Sequence, residues 1–275
     1  MTHSNSHYSL NDLVYLMQRL RAPEDGCAWD IQQTYRTITS STLEEAYEVV
    51  DAIEQGDFAQ LREELGDLLF QVIFYSQLAS EDGRFSFADI VSGLTAKLVR
   101  RHPHVFPDGT LNSHRDSTLS ADDIKQRWEN LKQEERAQKG LTGILSDVPI
   151  GLPAIPRAQK LQKRAAAVGF DFANAADVLN KLQEEIAELQ HAITQGQANA
   201  IEDEMGDVFF TLANLCRHLH LDGEKSLRHA NQKFTARFQF IEQTLLAQGL
   251  QWSSQSPEAL DQLWGLAKNS PTDPV

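Results

Sequence analysis

Glu44, Glu45 and Glu48 form an EExxE segment, and Glu64 with Asp67 forms an ExxD segment after it. The same pattern returns as Glu184, Glu185, Glu188, Glu204 and Asp207, each 140 positions further on. Residues three and four apart share one face of a helix, so each group can project its carboxylates to one side. Apolar residues flank them, with Leu182, Ile186 and Leu189 beside the first segment of the second copy and Ile201, Met205, Val208 and Phe209 beside its second. Carboxylates bordering an apolar face repel one another and lose solvation. A bound divalent cation removes both penalties. Mg²⁺ is the natural ion, because it takes hard oxygen ligands and keeps places for water and phosphate oxygens. Mn²⁺ is a reasonable substitute. All ten carboxylates are therefore candidate metal ligands. A solvated glutamate-rich helix face would explain one EExxE segment equally well. Its return in register, with the ExxD element at the same offset, favours a shared chemical role.

Basic residues follow each acidic pair. Lys233 and Arg237 are four apart on one helical face with Asn231 just before them, and Lys97 and Arg101 have the same spacing in the first half. Each pair could grip terminal phosphates or stabilise a leaving pyrophosphate by charge and directed hydrogen bonds. A Lys-x-x-x-Arg pair alone is commonly an exposed charged face; its place after the acidic elements favours phosphate. Trp29 could shelter a base or close a helix junction. His102 and His104 around Pro103 read as a turn, while His218, His220 and His229 lack a convergent ligand pattern. Trp252 and Trp264 are expected to dock the C-terminal tail.

Helices must position these groups. Leu10, Leu13, Val14, Met17 and Leu20 recur at helical spacing, and Pro23 and Gly26 end that segment. A loop is expected over Cys27–Asp30. Helices are predicted over 41–53, capped by Ser41 or Thr42 and ended by Gly56, over 58–78, and over 87–101. Residues 106–120 read as an exposed connection and 122–139 as a charged helix. After a proline-containing stretch, 140–156, a helix is predicted from about Arg157, then 175–194, 198–220 and 225–247. Ser256-Pro257-Glu258 has the order of cap, first helical residue and acidic first turn. No stretch sustains apolar alternation, so the expected fold class is all-α, with two duplicated helical units. The expected division is 1–139, a linker at 140–156, and 157–275.

The 275 residues are enough for a substantial core, and 41% hydrophobic with 23% charged residues is ordinary for a folded domain. A net charge of -14 argues against broad binding to nucleic acid or anionic lipid, but not against a small anionic substrate met by local metal and Lys/Arg. No run is long and apolar enough for a membrane span, and the N-terminus does not read as a signal peptide. Two cysteines, Cys27 and Cys216, make no disulfide framework, which fits a cytoplasmic protein.

These residues resemble the MazG family of nucleoside triphosphate pyrophosphohydrolases, in its two-repeat form. The resemblance runs from about residue 8 to 265. It includes Leu20-Arg21-x-Pro23, Gly26-Cys27-Ala28-Trp29-Asp30, Gln33-Thr34 and Arg101-His102-Pro103-His104-Val105-Phe106. It continues through Trp128-Glu129, Leu161-Gln162-Lys163-Arg164-Ala165-Ala166 and Val168-Gly169-Phe170-Asp171. Departures are Ala28 for a usual proline, Tyr35 for a usual histidine, and Ala167 where a charge is frequent. The resemblance implies a helical-bundle homodimer and Mg²⁺-dependent hydrolysis of a broad range of NTPs and dNTPs to monophosphate and pyrophosphate, adjusting nucleotide pools. It places Glu184, Glu185, Glu188, Glu204 and Asp207 at metal positions, Lys233 and Arg237 at phosphate contacts and Asn231 near the nucleotide. Glu184 and Glu185 are the candidates for activating water. Thr95 stands at the first-half position equivalent to Asn231, so the second half is expected to carry the main activity. Two other readings stay open: a narrower dUTP/dCTP-type pyrophosphatase, and a non-enzymatic helical protein that binds partners through its acidic faces.

Overall fold

Helix is the only extended regular structure among the described residues, as the lack of apolar alternation predicts. The computed structural model describes residues 7–113, 120, 123–124, 127–128, 131, 135 and 143–270. The chain divides into two compact units, Met1–Lys132 and Gln133–Val275. The charged helix expected over 122–139 falls largely outside the described residues.

The first unit contains α1 (Leu10–Leu20), α2 (Ala28–Gln32), α3 (Thr39–Gln55), α4 (Phe58–Glu81) and α5 (Phe87–Arg101). Ser9 opens α1 with a capping box: its hydroxyl accepts from the Asp12 N–H at 3.3 Å, and the Asp12 carboxylate accepts from the Ser9 N–H at 2.7 Å. Met17 of α1 packs against Ile73, Phe74 and Leu78 of α4 and Ile38 ahead of α3, which together form the buried centre. Phe70 meets Phe74 edge-on at 5.9 Å. The α3–α4 hairpin turns at Gly56, whose φ of 71° is the left-handed conformation that glycine adopts without strain. Asp57 then caps α4, accepting from the Ala59 and Gln60 N–H groups at 3.0 Å.

Two local expectations in the first unit are corrected. Ala28, Trp29 and Asp30, read as part of a loop, belong to the short helix α2. Its first turn closes through the Ile31 N–H to the Cys27 carbonyl at 3.0 Å, and Arg21 satisfies the Asp30 carbonyl near its end. Five residues are too few for a helical period to register. Helix α3 begins at Thr39, with Ile38 as its uncapped N-terminal residue, instead of at a Ser41 or Thr42 cap. Thr39 and Thr42 donate their hydroxyls at 3.0 Å to the carbonyls four residues earlier, Tyr35 and Ile38, so they serve the helix from inside.

The second unit contains α6 (Ala154–Ala166), α7 (Ala175–Gln195), α8 (Ala198–His218), α9 (Gly223–Ala247), a 3₁₀ turn at Trp252–Ser254, and α10 (Pro257–Ala267). Asn174 caps α7, accepting from Ala176 N–H at 2.8 Å and Asp177 N–H at 3.0 Å. Gly196, with φ 67°, turns the α7–α8 hairpin as Gly56 turns its counterpart. Helix α6 starts earlier than expected because Pro156 lies in the first turn, where its missing N–H leaves no bond unmade. Helix α9 also starts early, at Gly223 after the Asp222 cap. A Cβ at Gly223 would lie 2.9 Å from Ile155 Cγ2, so the missing side chain lets the start of α9 approach α6. Ser256 caps α10 as expected, accepting from the Ala259 N–H at 3.2 Å with Pro257 as first helical residue.

Candidate active site

Each hairpin brings together carboxylates that are distant in sequence. In the second unit, Glu185 and Glu188 of α7 and Glu204 of α8 each offer an oxygen, and these oxygens lie within 4.8 Å of one another. In the first unit Glu45 and Glu48 of α3 and Glu64 of α4 do the same within 4.8 Å. The cause is local: the i, i+3 spacing sets two carboxylates on one face, and the short turn at Gly196 or Gly56 returns the chain antiparallel beside it. Asp67 stands close enough to Glu45 to act on its charge. Glu44, Glu184 and Asp207 lie outside the three-oxygen groupings.

Burial and mutual repulsion strain these acids. Glu45 has its pKa raised by burial first and then by Asp67 and Glu48, and Glu48 by burial and then Glu64 and Glu44. Glu188 is raised by its hydrogen bond with Glu185, then by burial, with Lys181 acting in the opposite sense. Glu185 is the most enclosed of the second set, only 6% exposed. An open cleft of about 750 Å³ lies over this face, lined by Glu184, Glu188, His191, Gln195, Gln197 and Glu204. Hard oxygens held together against their own repulsion are a donor set for a small divalent cation.

Sequence reasoning did not single out Lys181. Its ammonium lies 2.7 Å from Glu184 Oε1 and 3.0 Å from Glu185 Oε1, and these two hydrogen bonds hold its pKa above the ordinary lysine range. The i, i+3 and i, i+4 spacing from Lys181 to the EE pair was the signal available.

The basic candidates lie on other helices. Asn231, Lys233 and Arg237 belong to α9, and the Arg237 guanidinium sits over the Trp264 ring at 5.6 Å from its centroid. Trp264 also packs against Phe234 at 5.4 Å, and Trp252 stacks on Phe238 at 4.9 Å. The C-terminal tryptophans do dock the tail, and Trp264 in addition holds a candidate phosphate ligand. Lys97 and Arg101 lie on α5, where a cleft of about 610 Å³ is lined by Ser92, Thr95, Ala96, Val99, Arg100 and Leu111. Trp29, on α2, is 61% exposed and its carbonyl accepts from Gln33 Nε2 at 2.9 Å. His218 is engaged at Asp171, with Nε2 3.1 Å from Oδ1, where Arg217 also donates.

The profile of the MazG nucleotide pyrophosphohydrolase domain matches the chain twice, at residues 33–106 and 174–240. The chain is also 46% identical over 266 residues to a nucleoside triphosphate pyrophosphohydrolase of Escherichia coli, covering 96% of this chain and 98% of that one. The chain belongs to the MazG nucleotide pyrophosphohydrolase family. A Thermotoga maritima relative named nucleoside triphosphate pyrophosphohydrolase/pyrophosphatase MazG is 37% identical over 257 residues, with 94% of each chain covered. A Mycolicibacterium smegmatis nucleoside triphosphate pyrophosphohydrolase is 35% identical over 163 residues, 58% of this chain and 47% of that one. The two MazG segments enclose both acidic groupings and both Lys-x-x-x-Arg pairs, while Trp29 and Trp264 fall outside them.

Proposed function

We propose that this MazG protein hydrolyses nucleoside triphosphates, ribo- and deoxyribonucleotides alike, to monophosphate and pyrophosphate in a reaction that requires Mg²⁺ or, in its place, Mn²⁺. The observation that carries this reading is the recurrence of a three-carboxylate grouping inside both MazG segments. The names of the E. coli and T. maritima relatives support triphosphates as substrates. The clustered oxygens and raised acid pKa values fit a divalent ion.

Glu185, Glu188 and Glu204 would hold the ion, with Glu184 and Asp207 completing the set from the same two helices. When bound, it supplies Lewis-acid polarisation of phosphate oxygens and offsets polyphosphate charge. Either Glu184 or Glu185 positions a water and accepts its proton as its oxygen bonds to the α-phosphorus. The bond from the α-phosphorus to the bridging oxygen breaks, and the electron pair leaves with pyrophosphate. Lys233 and Arg237 meet the charge that grows on that leaving group. Asn231 lies near the nucleotide.

The first unit offers a second set for metal, Glu44, Glu45, Glu48, Glu64 and Asp67, with Lys97, Arg101 and Trp29 as nucleotide contacts. Thr95 in place of an asparagine makes it the weaker site. A homodimer is part of the proposal, supported by exposed apolar side chains on the hairpin helices, Leu65, Leu69 and Val72 on α4 and Phe209, Phe210 and Leu212 on α8. So are a cytoplasmic location, a role in adjusting nucleotide pools, and domain limits at 1–139 and 157–275 around a linker. No described helix is long and apolar enough to cross a membrane. Phosphorus NMR of products from a panel of NTPs and dNTPs, with Mg²⁺ or with chelator, tests the reaction. Monophosphate and pyrophosphate from most of the panel are expected. Turnover of dUTP or dCTP alone would replace the broad reading with the narrow one, and no turnover would leave a binding role.

A further inference from the structure

Lys181 differs from the other groups around the second acidic grouping because it already fills the role of a cation there. Its ammonium contacts Glu184 at 2.7 Å and Glu185 at 3.0 Å, and the Glu185 side chain is only 8% exposed. Glu185 also belongs to the grouping with Glu188 and Glu204. An ammonium and a divalent ion that draw on the same enclosed carboxylate compete for it. The tether keeps the ammonium at high effective concentration, so an ion arriving alone must displace it. In the first unit the residue 140 positions earlier is Ser41, which has no charge to offer.

A polyanion changes that balance. The ammonium stem is flexible and one-third exposed, so the head can leave the carboxylates for a phosphate oxygen without moving the backbone. We propose that Lys181 is a placeholder cation that ties metal loading of the second site to arrival of the triphosphate. By linkage, nucleotide raises metal affinity there and metal raises nucleotide affinity by the same factor. Without Lys181 the metal binds early and the coupling shrinks. The inference rests on the metal reading of this grouping given above.

The test is Mn²⁺ binding, followed by electron paramagnetic resonance, to the full-length protein carrying Glu45→Gln to weaken the first site. It is run with and without an α,β-methylene triphosphate that is not cleaved. The expected result is that Lys181→Met binds Mn²⁺ about tenfold more tightly without nucleotide, a change of about 1.4 kcal/mol. The analogue should then tighten Mn²⁺ about tenfold in the Lys181-containing protein, and in Lys181→Arg, but less than threefold in Lys181→Met. Circular dichroism checks that the variants are folded, and an unfolded Lys181→Met leaves the comparison to Lys181→Gln. Unchanged or weaker Mn²⁺ binding in the neutral variant, or an undiminished effect of the analogue, overturns the placeholder role alone. Mn²⁺ binding that survives Glu185→Gln in full, or is absent from every variant, overturns the metal reading itself and this inference with it.

Discussion

Arg21 and Glu81, 60 residues apart, are joined by a two-pronged ion pair, with Nη2 2.7 Å from Oε2 and Nε 2.9 Å from Oε1. The same guanidinium reaches the carbonyls of Asp30 and Gln33 and lies over the Phe74 ring at 5.4 Å. One side chain, 7% exposed, thus ties α1, α2 and the end of α4 together. In the second unit Leu161 stands 140 positions after Arg21, and its neighbour Gln162 donates to the Phe210 carbonyl at 2.8 Å.

The Arg21 hydrogen bond lowers the Glu81 pKa below its ordinary 4.5, against a smaller opposing effect of burial. A depressed acid contributes stability that is full above the unfolded value and disappears as pH falls through the folded one. Glu81 is itself 36% exposed, so the contribution is about 1 kcal/mol. Glu81→Gln should lower stability by that amount near neutrality and flatten the acid-side decline between pH 5 and 3 (about one unit either side of the ordinary glutamate value). Urea midpoints across that range are the measurement, and equal slopes for the two proteins would refute it.

Phe74 is among the most completely buried side chains of the first unit and touches Phe70 as well as Arg21. Phe74→Ala should cost about 3–5 kcal/mol from lost burial and the cavity left behind. Thermal unfolding of the full-length protein would report it, and an unchanged midpoint would contradict the central place given to this ring.

The hairpins, their glycine turns and the position of the acids were legible because i, i+3 spacing and a left-handed glycine act within one or two turns of chain. The duplicated groupings followed from that local geometry. Lys181 is equally local, but Lys–Glu pairs at i, i+3 and i, i+4 are common on any solvated helix, so the spacing alone does not mark it. The contact of Arg237 with Trp264 was not legible: it joins α9 to α10 across a loop and depends on how the tail folds back. Arg21 with Glu81 is of the same kind. Helix α2 is too short for a helical period to register, and the carbonyls at its C-terminal end are satisfied by the Arg21 guanidinium, which the sequence gives no reason to place there.

Glu185 and Glu45 occupy equivalent positions, but Asn231 follows the first of them where Thr95 follows the second. Glu185→Gln should reduce kcat/KM by on the order of 10²-fold or more, a loss of about 3 kcal/mol of transition-state stabilisation. Glu45→Gln should change it by less than about threefold. Steady-state kinetics of both variants with the same triphosphate decides this, and a reversed order would move the main activity to the first unit.

Trp264 supports Arg237 from behind its guanidinium face. Both side chains are half-buried, and a cation–π contact that is not fully desolvated is worth about 0.5–1 kcal/mol, so Trp264→Ala should raise KM for nucleotide roughly two- to fivefold. Trp264→Phe, which keeps an aromatic face, should restore most of it. A variant with unchanged KM would mean that the ring docks the tail and does nothing for the substrate.

Attack of water at the α-phosphorus is the central chemical claim, and hydrolysis in ¹⁸O-water tests it most directly. Mass spectrometry of the products is predicted to find one ¹⁸O in the nucleoside monophosphate and none in pyrophosphate. Label in pyrophosphate instead would place the attack on the β-phosphorus and contradict the roles given to Glu184, Glu185, Lys233 and Arg237.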